Sequence, residues 1–242
     1  MKKLEVFGAS KLKGQIKISG SKNASLPILA ATLLSEKKIS LTNVPRVKDV
    51  ETMIKLLESM GSQVKKLNNG NSLIIQNNTN IKTKASYNLM STMRAGIIVL
   101  GPLLARFGKA KVSTPGGCSI GVRPIDIHLE ALKSLGVQYK IIDGYVHANA
   151  KDGLIGAKIK FPKISVGATE NLLIASCLAR GQTILSNCAI EPEIKDLTKF
   201  LNSMGAQITW IGKRQVRIIG IKKFKETNYR VMFDRIEAGT ML

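Results

Sequence analysis

Between residues 50 and 80 the alternation of apolar and polar positions changes period. Val50, Met53, Ile54 and Leu57 fall at the spacing that lines one face of a helix. Gly61 follows at the place where a left-handed residue closes a helix. The pattern then predicts a strand over 63–67, a polar Asn68-Asn69-Gly70 turn, and a second strand over 72–75. Upstream, residues 26–34 are apolar on nearly every face, which predicts a helix buried on all sides. Residues 39–43 then read as a short strand.

This grammar occurs three times. Leu57-Glu58-Ser59-Met60-Gly61 returns as Leu132-Lys133-Ser134-Leu135-Gly136 and again as Leu201-Asn202-Ser203-Met204-Gly205. Asp143-Gly144 and Gly212-Lys213 supply the hairpin turns of the later copies. Laying Ser21 on Ser165 without a gap also brings Leu41 onto Leu185, Asn43 onto Asn187 and Lys55 onto Lys199. The expected fold is therefore α/β, of the α+β kind: an inside-out α/β barrel of three βαβαββ repeats with pseudo-threefold symmetry. Its inner helices (26–34 and 171–178 in copies one and three) pack together and its sheets face outward. The repeats are expected at about 22–80, 81–150 and 151–229. Residues 1–21 and 230–242 fall outside them, as pieces of an incomplete second domain of like build.

Composition narrows the partners. Lys and Arg number 37 against 16 Asp and Glu, a formal charge of +21, which attracts polyanions and phosphorylated metabolites alike. The lysines are scattered in pairs such as Lys37-Lys38 and Lys65-Lys66, and aromatics make up only 5%. A stacking platform for single-stranded nucleic acid is thus poorly supported, and solvated surface charge competes with small phosphate-bearing substrates. Cys118, Cys177 and Cys188 show neither disulfide pairing nor metal spacing. A reducing, cytoplasmic setting is expected, with no membrane span, no metal and no cofactor.

Candidate chemistry gathers around Pro115-Gly116-Gly117-Cys118-Ser119-Ile120-Gly121. A glycine-rich loop lets backbone approach a ligand, and Arg123 nearby favours thiolate character. Pro124-Ile125-Asp126-Ile127-His128 then opens a helix whose start can receive an anion. Cys177, among leucines and isoleucines, reads as an inert core thiol, and nothing in sequence activates Cys188. Lys22 and Asn23 precede the first inner helix, the asparagine as N-cap or ligand donor and the lysine as phosphate contact or solvated charge. Arg94, at the head of an apolar run, needs an anionic partner, structural or bound. Lys163, Ile164, Ser165 and Val166 hold the corresponding place in copy three. Three such helix starts converging at one pole make an anion site.

Ser21-Lys22-Asn23-Ala24-Ser25-Leu26-Pro27, Met93-Arg94-Ala95, the cysteine loop through His128, Ser165-Val166-Gly167-Ala168-Thr169-Glu170-Asn171, Glu191-Pro192-Glu193 and the run from Asp234 to Thr240 resemble the enolpyruvyl transferases that act on UDP-N-acetylglucosamine. The resemblance runs in order along the whole chain. It implies transfer of the enolpyruvyl group of phosphoenolpyruvate to the sugar 3′-hydroxyl with release of phosphate, the first committed step of peptidoglycan synthesis. It implies Cys118 as general acid and site of a covalent adduct, the target of fosfomycin. Lys22 and Arg123 would grip phosphoenolpyruvate. Asn23, Arg94, the stretch Arg123, Pro124, Ile125, Asp126, Ile127, and the stretch Lys163, Ile164, Ser165, Val166 would hold the UDP-sugar.

Two departures qualify the likeness. Ser91 stands where the family usually carries a basic residue. The family also has two three-repeat domains, the second supplying an aspartate base and a further arginine, so a chain ending at Leu242 is expected to hold the N-terminal part and to be inactive alone. The shikimate 3-phosphate enzyme shares the fold, but the cysteine loop argues against it. A nucleic-acid- or nucleotide-binding module on the same repeat is the alternative reading.

Overall fold

A computed structural model describes residues 3, 5, 7, 8, 11, 13–85, 87–90, 93–114 and 125–242 of the chain. Its centre is helical. The first inner helix, α1 (Lys22–Ala31), runs on through a 3-10 turn over Thr32–Leu34. Pro27 sits inside α1 without ending it, although it supplies no N–H to the carbonyl one turn back. The second inner segment is a 3-10 helix over Arg94–Val99 that becomes α4 (Leu100–Phe107), and the third is α6 (Val166–Ser176). Residues 24–31 and 168–176 are buried without interruption, the first as its nearly all-round apolar sequence requires, the second with Thr169, Glu170 and Asn171 carried inside as well.

Around this centre lie three four-stranded sheets with one strand order. The first copy supplies β1 (Ile39–Thr42), β2 (Gln63–Leu67) and β3 (Ser72–Gln76). The second supplies β4 (Lys84–Ala85), β5 (Lys109–Ser113), β6 (Gln138–Ile142) and β7 (Tyr145–Asn149). The third supplies β8 (Lys158–Lys160), β9 (Gln182–Ser186), β10 (Gln207–Gly212) and β11 (Gln215–Ile219). In each sheet a hairpin adds antiparallel to a central strand, and a short edge strand pairs with that strand in parallel. The edge strand of the first sheet comes from far along the chain: β12 (Thr227–Arg230) pairs with β1, Ile39 opposite Thr227. The last strand thus completes the first sheet and closes the ring of three.

The outer helices α2 (Lys48–Met60), α5 (Asp126–Lys133) and α7 (Pro192–Ser203) turn their apolar faces onto the inner ones. Gly61, Gly136 and Gly205, the repeated glycines, all take left-handed backbone at φ 106°, 94° and 103°. The hairpin turns behave likewise, with Asp143 and Gly144 both at positive φ. One expectation needs correcting. Arg94 opens a 3-10 helix rather than an α-helix, in a run where three consecutive β-branched residues, Ile97-Ile98-Val99, disfavour the α form and Gly96 admits the Met90 sulfur, which a Cβ there would meet at 2.3 Å. A short helix, α3 (Tyr87–Met90), also precedes it unforeseen.

The two ends of the barrel run side by side. Gly20 bridges Phe233, Ser21 N–H donates to Met232 O (2.8 Å), and Asp234 N–H donates to Ser19 O (2.9 Å). Asp234 then caps α8 (Arg235–Met241), accepting from Ile236 N–H at 2.8 Å and Glu237 N–H at 3.1 Å. Among the described residues no helix is long and apolar enough to cross a membrane.

Candidate active site

The three inner helices start at the same end of the barrel. Residues 94–99 pack on α1, while Arg106, twelve positions further on, donates to Leu33 O (2.9 Å) beyond the end of α1, so the two segments are parallel. Asn171, in the second turn of α6, donates to Ile97 O (3.2 Å), and the common strand order of the three repeats gives α6 the same direction as the other two. Aligned helix starts add their unpaired N–H groups and partial positive charge at one pole.

Local capping follows the repeat. Ser21 and Ser165, which the internal alignment superposes, are both N-caps and accept from Ala24 N–H and Ala168 N–H at 3.3 Å. The cap of α1 is therefore Ser21. Asn23 lies inside the first turn, exposed, and cannot cap, because its backbone is already helical while Ser21 holds the extended conformation (φ −70°, ψ 123°). Asn23 thus keeps only the ligand-donor role of the two expected from sequence.

Lys22 directs its ammonium to Asp49 of α2 (3.2 Å), both side chains about two-fifths exposed at 43% and 39%, and its N–H donates to Asp234 (3.2 Å). An ion pair this wet is worth at most about 1 kcal/mol, so an incoming anion can compete for the lysine. At α6, Lys163, Ile164 and Val166 are exposed and Ser165 is half-buried.

A cleft of about 500 Å³ opens between α5 and the segment that follows β8. Asp126, Ile127 and Glu130 line one wall, and Lys160, Phe161 and Lys163 the other. The lining thus combines acidic, basic and apolar side chains, although the Glu130 carboxylate is engaged by Tyr139 Oη (2.7 Å) and Lys133 Nζ (3.8 Å). Ile125 caps α5 from just outside, half-buried. Of the residues picked out in sequence, the cleft brings together Asp126, Ile127 and Lys163; Lys22 and Asn23 do not line it. Cys118, Arg123, Pro124 and Ser91 lie outside the described residues, as does the side chain of Arg94.

The other two thiols behave as foreseen. Cys177 and Cys188 are buried, and burial pushes the Cys188 thiol up to about 12 and raises that of Cys177 as well. Sequence reasoning missed a buried polar group behind the cleft. His128, on the inner face of α5, meets the Asn171 amide at 3.2 Å, and burial lowers its pKa to about 4. It also missed Glu170, buried in α6, whose pKa is raised to about 8 by burial and then by Glu193 and Glu191. Both residues stood in the motifs quoted for the resemblance; what carried no sequence signal was the partner each would meet. Among the described residues no cluster of side chains is set out to hold a metal ion.

Known proteins match this arrangement throughout. The chain is 72% identical over 242 residues to the UDP-N-acetylglucosamine 1-carboxyvinyltransferase of Pelagibacter ubique, covering 100% of this chain and 58% of that protein. It is 50% identical over 242 residues to the protein of the same name in Trichlorobacter lovleyi, covering 100% of this chain and 57% of the other. The chain thus spans rather more than half the length of these relatives. In fold it is similar to the enolpyruvyl transferase NikO of Streptomyces tendae (TM-score 0.84, 19% identity, 97% of this chain and 55% of that one). It is also similar to the EPSP synthase of Acinetobacter baumannii (TM-score 0.73, 18% identity, 90% and 49%). Residues 6–242 match one family over nearly the whole chain, and the protein belongs to it: the EPSP synthase (3-phosphoshikimate 1-carboxyvinyltransferase) family.

Proposed function

We propose that this chain forms the sugar-nucleotide half of an active site that transfers the enolpyruvyl group of phosphoenolpyruvate to the 3′-hydroxyl of UDP-N-acetylglucosamine. The observation that carries this reading is the cleft, with cations and carboxylates on opposite walls, at the side of three helices that start at one pole. Lys160 and Lys163 suit the diphosphate, and Asp126 suits the hydroxyl or imide donors of a uridine. The names of the relatives favour this class of substrate over a nucleic acid.

In the proposed reaction the sugar oxygen bonds to C2 of phosphoenolpyruvate as C3 gains a proton. Loss of a C3 proton and of phosphate then restores the double bond. Cys118 delivers the first proton, and Lys22, Arg123 and the helix starts stabilise the phosphate and the charge that develops on it. The base that takes the hydroxyl proton is an aspartate of a second domain. The setting is the cytoplasm and the product feeds cell-wall synthesis.

Fosfomycin tests the reading, since its epoxide should alkylate one thiol. Intact-protein mass spectra should show a single adduct, mapped to Cys118 and formed faster with UDP-N-acetylglucosamine present. Adducts spread over three thiols, or a rate indifferent to the sugar nucleotide, would sink it. Salt-sensitive binding to nucleic acid with no thermal shift by UDP-N-acetylglucosamine would favour the alternative module instead.

A further inference from the structure

His128 occupies the face of α5 opposite the cleft. The side chains at 126, 127, 130, 131 and 134 line the cleft, while 128 is buried against α6. It meets α6 at two points one turn apart. Asn171 Nδ2 lies 3.2 Å from His128 Nδ1, and a Cβ placed on Gly167 would come within 3.1 Å of His128 Cε1. The same Nδ2 also donates to Ile97 O at 3.2 Å.

This geometry fixes the proton. Facing a carbonyl that can only accept, the Asn171 amide must present nitrogen and not oxygen to Ile97. Nδ2 therefore donates to His128 as well, Nδ1 accepts, and the imidazole is neutral with its hydrogen on Nε2. Burial, which disfavours the charged ring, agrees.

We propose that His128 is a positioning residue whose bond with Asn171 ties α5, α6 and the Arg94–Val99 segment into one frame and thereby sets the width of the cleft for the uridine diphosphate end of the substrate. The proposal rests on the function proposed above. Through Ile97 the amide holds the segment that Arg94 opens, and through Nδ1 it holds the helix that carries Asp126 and Ile127. A shift of α5 by an ångström moves the carboxylate wall away from Lys160 and Lys163 without removing a group that touches ligand.

Calorimetric titration of UDP-N-acetylglucosamine into the 242-residue chain separates the outcomes. His128→Leu keeps the volume but removes the acceptor, and should weaken binding about tenfold, whereas His128→Asn retains an oxygen near the Nδ1 position and should bind within about threefold of wild type. Equal affinity in all three proteins, even with a lowered melting temperature, overturns the proposal. No binding by the wild type overturns the functional reading and this inference with it, whereas wild-type binding with indifferent variants overturns the inference alone.

Should the leucine variant fail to fold, imidazole nitrogen NMR of the wild type decides. The Nε2–H tautomer should persist to about pH 5, and the Nδ1 resonance should move when the sugar nucleotide binds. Ordinary titration near 6.5, or no response to ligand, contradicts the proposal.

Discussion

Replacing Gly101 by alanine sets two opposed effects against each other. Gly101 lies in the first turn of α4, where alanine gains up to about 1 kcal/mol of helix propensity over glycine. Its new Cβ would stand 2.3 Å from Asn171 Oδ1 and 2.6 Å from Asn171 O, inside the 3.0 Å that real Cβ atoms respect. The carbonyl belongs to the backbone of α6 and cannot swing aside. The amide is tied to Ile97 and His128. Helices α4 and α6 must therefore part by roughly 0.7 Å, an overpacking strain of about 1–3 kcal/mol in a dense core.

The strain outweighs the propensity gain, and Gly101→Ala should lose about 1–2 kcal/mol, a fall of roughly 2–8 °C in melting temperature for a chain of this size. Gly239→Ala is the control. That glycine is helical in α8 with nothing within 4 Å of the added Cβ, so the same change should be neutral or stabilise by up to about 1 kcal/mol. Urea denaturation followed by circular dichroism and by Trp210 fluorescence measures both. A Gly101→Ala protein as stable as wild type would refute the close α4–α6 approach.

Three further outcomes follow from the same coordinates. Arg106, its side chain only 10% exposed, donates to Leu33 O, Asn78 O and Glu36. Arg106→Ala should cost about 2–3 kcal/mol in urea denaturation, and Arg106→Lys should recover no more than about half, because one ammonium cannot span the fork. Glu170, raised to about 8 from an ordinary 4.5, keeps its proton in the folded chain after the unfolded chain has released it. Its stabilising contribution is complete below pH 4.5 and is lost as pH climbs to about 8, so Glu170→Gln should raise the melting temperature at pH 8 and change it little at pH 4.5. His128, lowered to about 4, works in the other sense: stability should fall as pH drops from 6.5 to 4, and His128→Asn should flatten that limb.

How far the sequence could be read depended on the range of each interaction. The glycine caps and the strands at 63–67 and 215–219 are local features, written in period and turn chemistry, and stand within a residue or two of the positions expected, whereas α1 and α6 begin four and five residues before their apolar runs. The edge strands β4, β8 and β12 are two to four residues long and leave no periodic trace. That β12 completes the first sheet depends on the closing of the ring, which no local pattern encodes. Asn23 looked like a cap because asparagine favours that position; Ser21 took it because the backbone turns helical two residues earlier. In the site, Asp126, Ile127 and Lys163 were named in advance, but that they share a cleft follows from the packing of α5 beside the segment after β8. His128 and Asn171 are distant in sequence, and their contact exists only in the folded core.

Backbone amide mapping by NMR of the chain titrated with UDP-N-acetylglucosamine tests the central claim most directly. Saturable shifts centred on residues 123–128, Lys160 and residues 163–166, and reaching Asn23 and Arg94 at the helix starts, with the β2–β3 and β10–β11 hairpins unmoved, are the predicted result. Shifts scattered over the basic surface, or none at millimolar ligand, would contradict the assignment of the sugar-nucleotide site to this cleft.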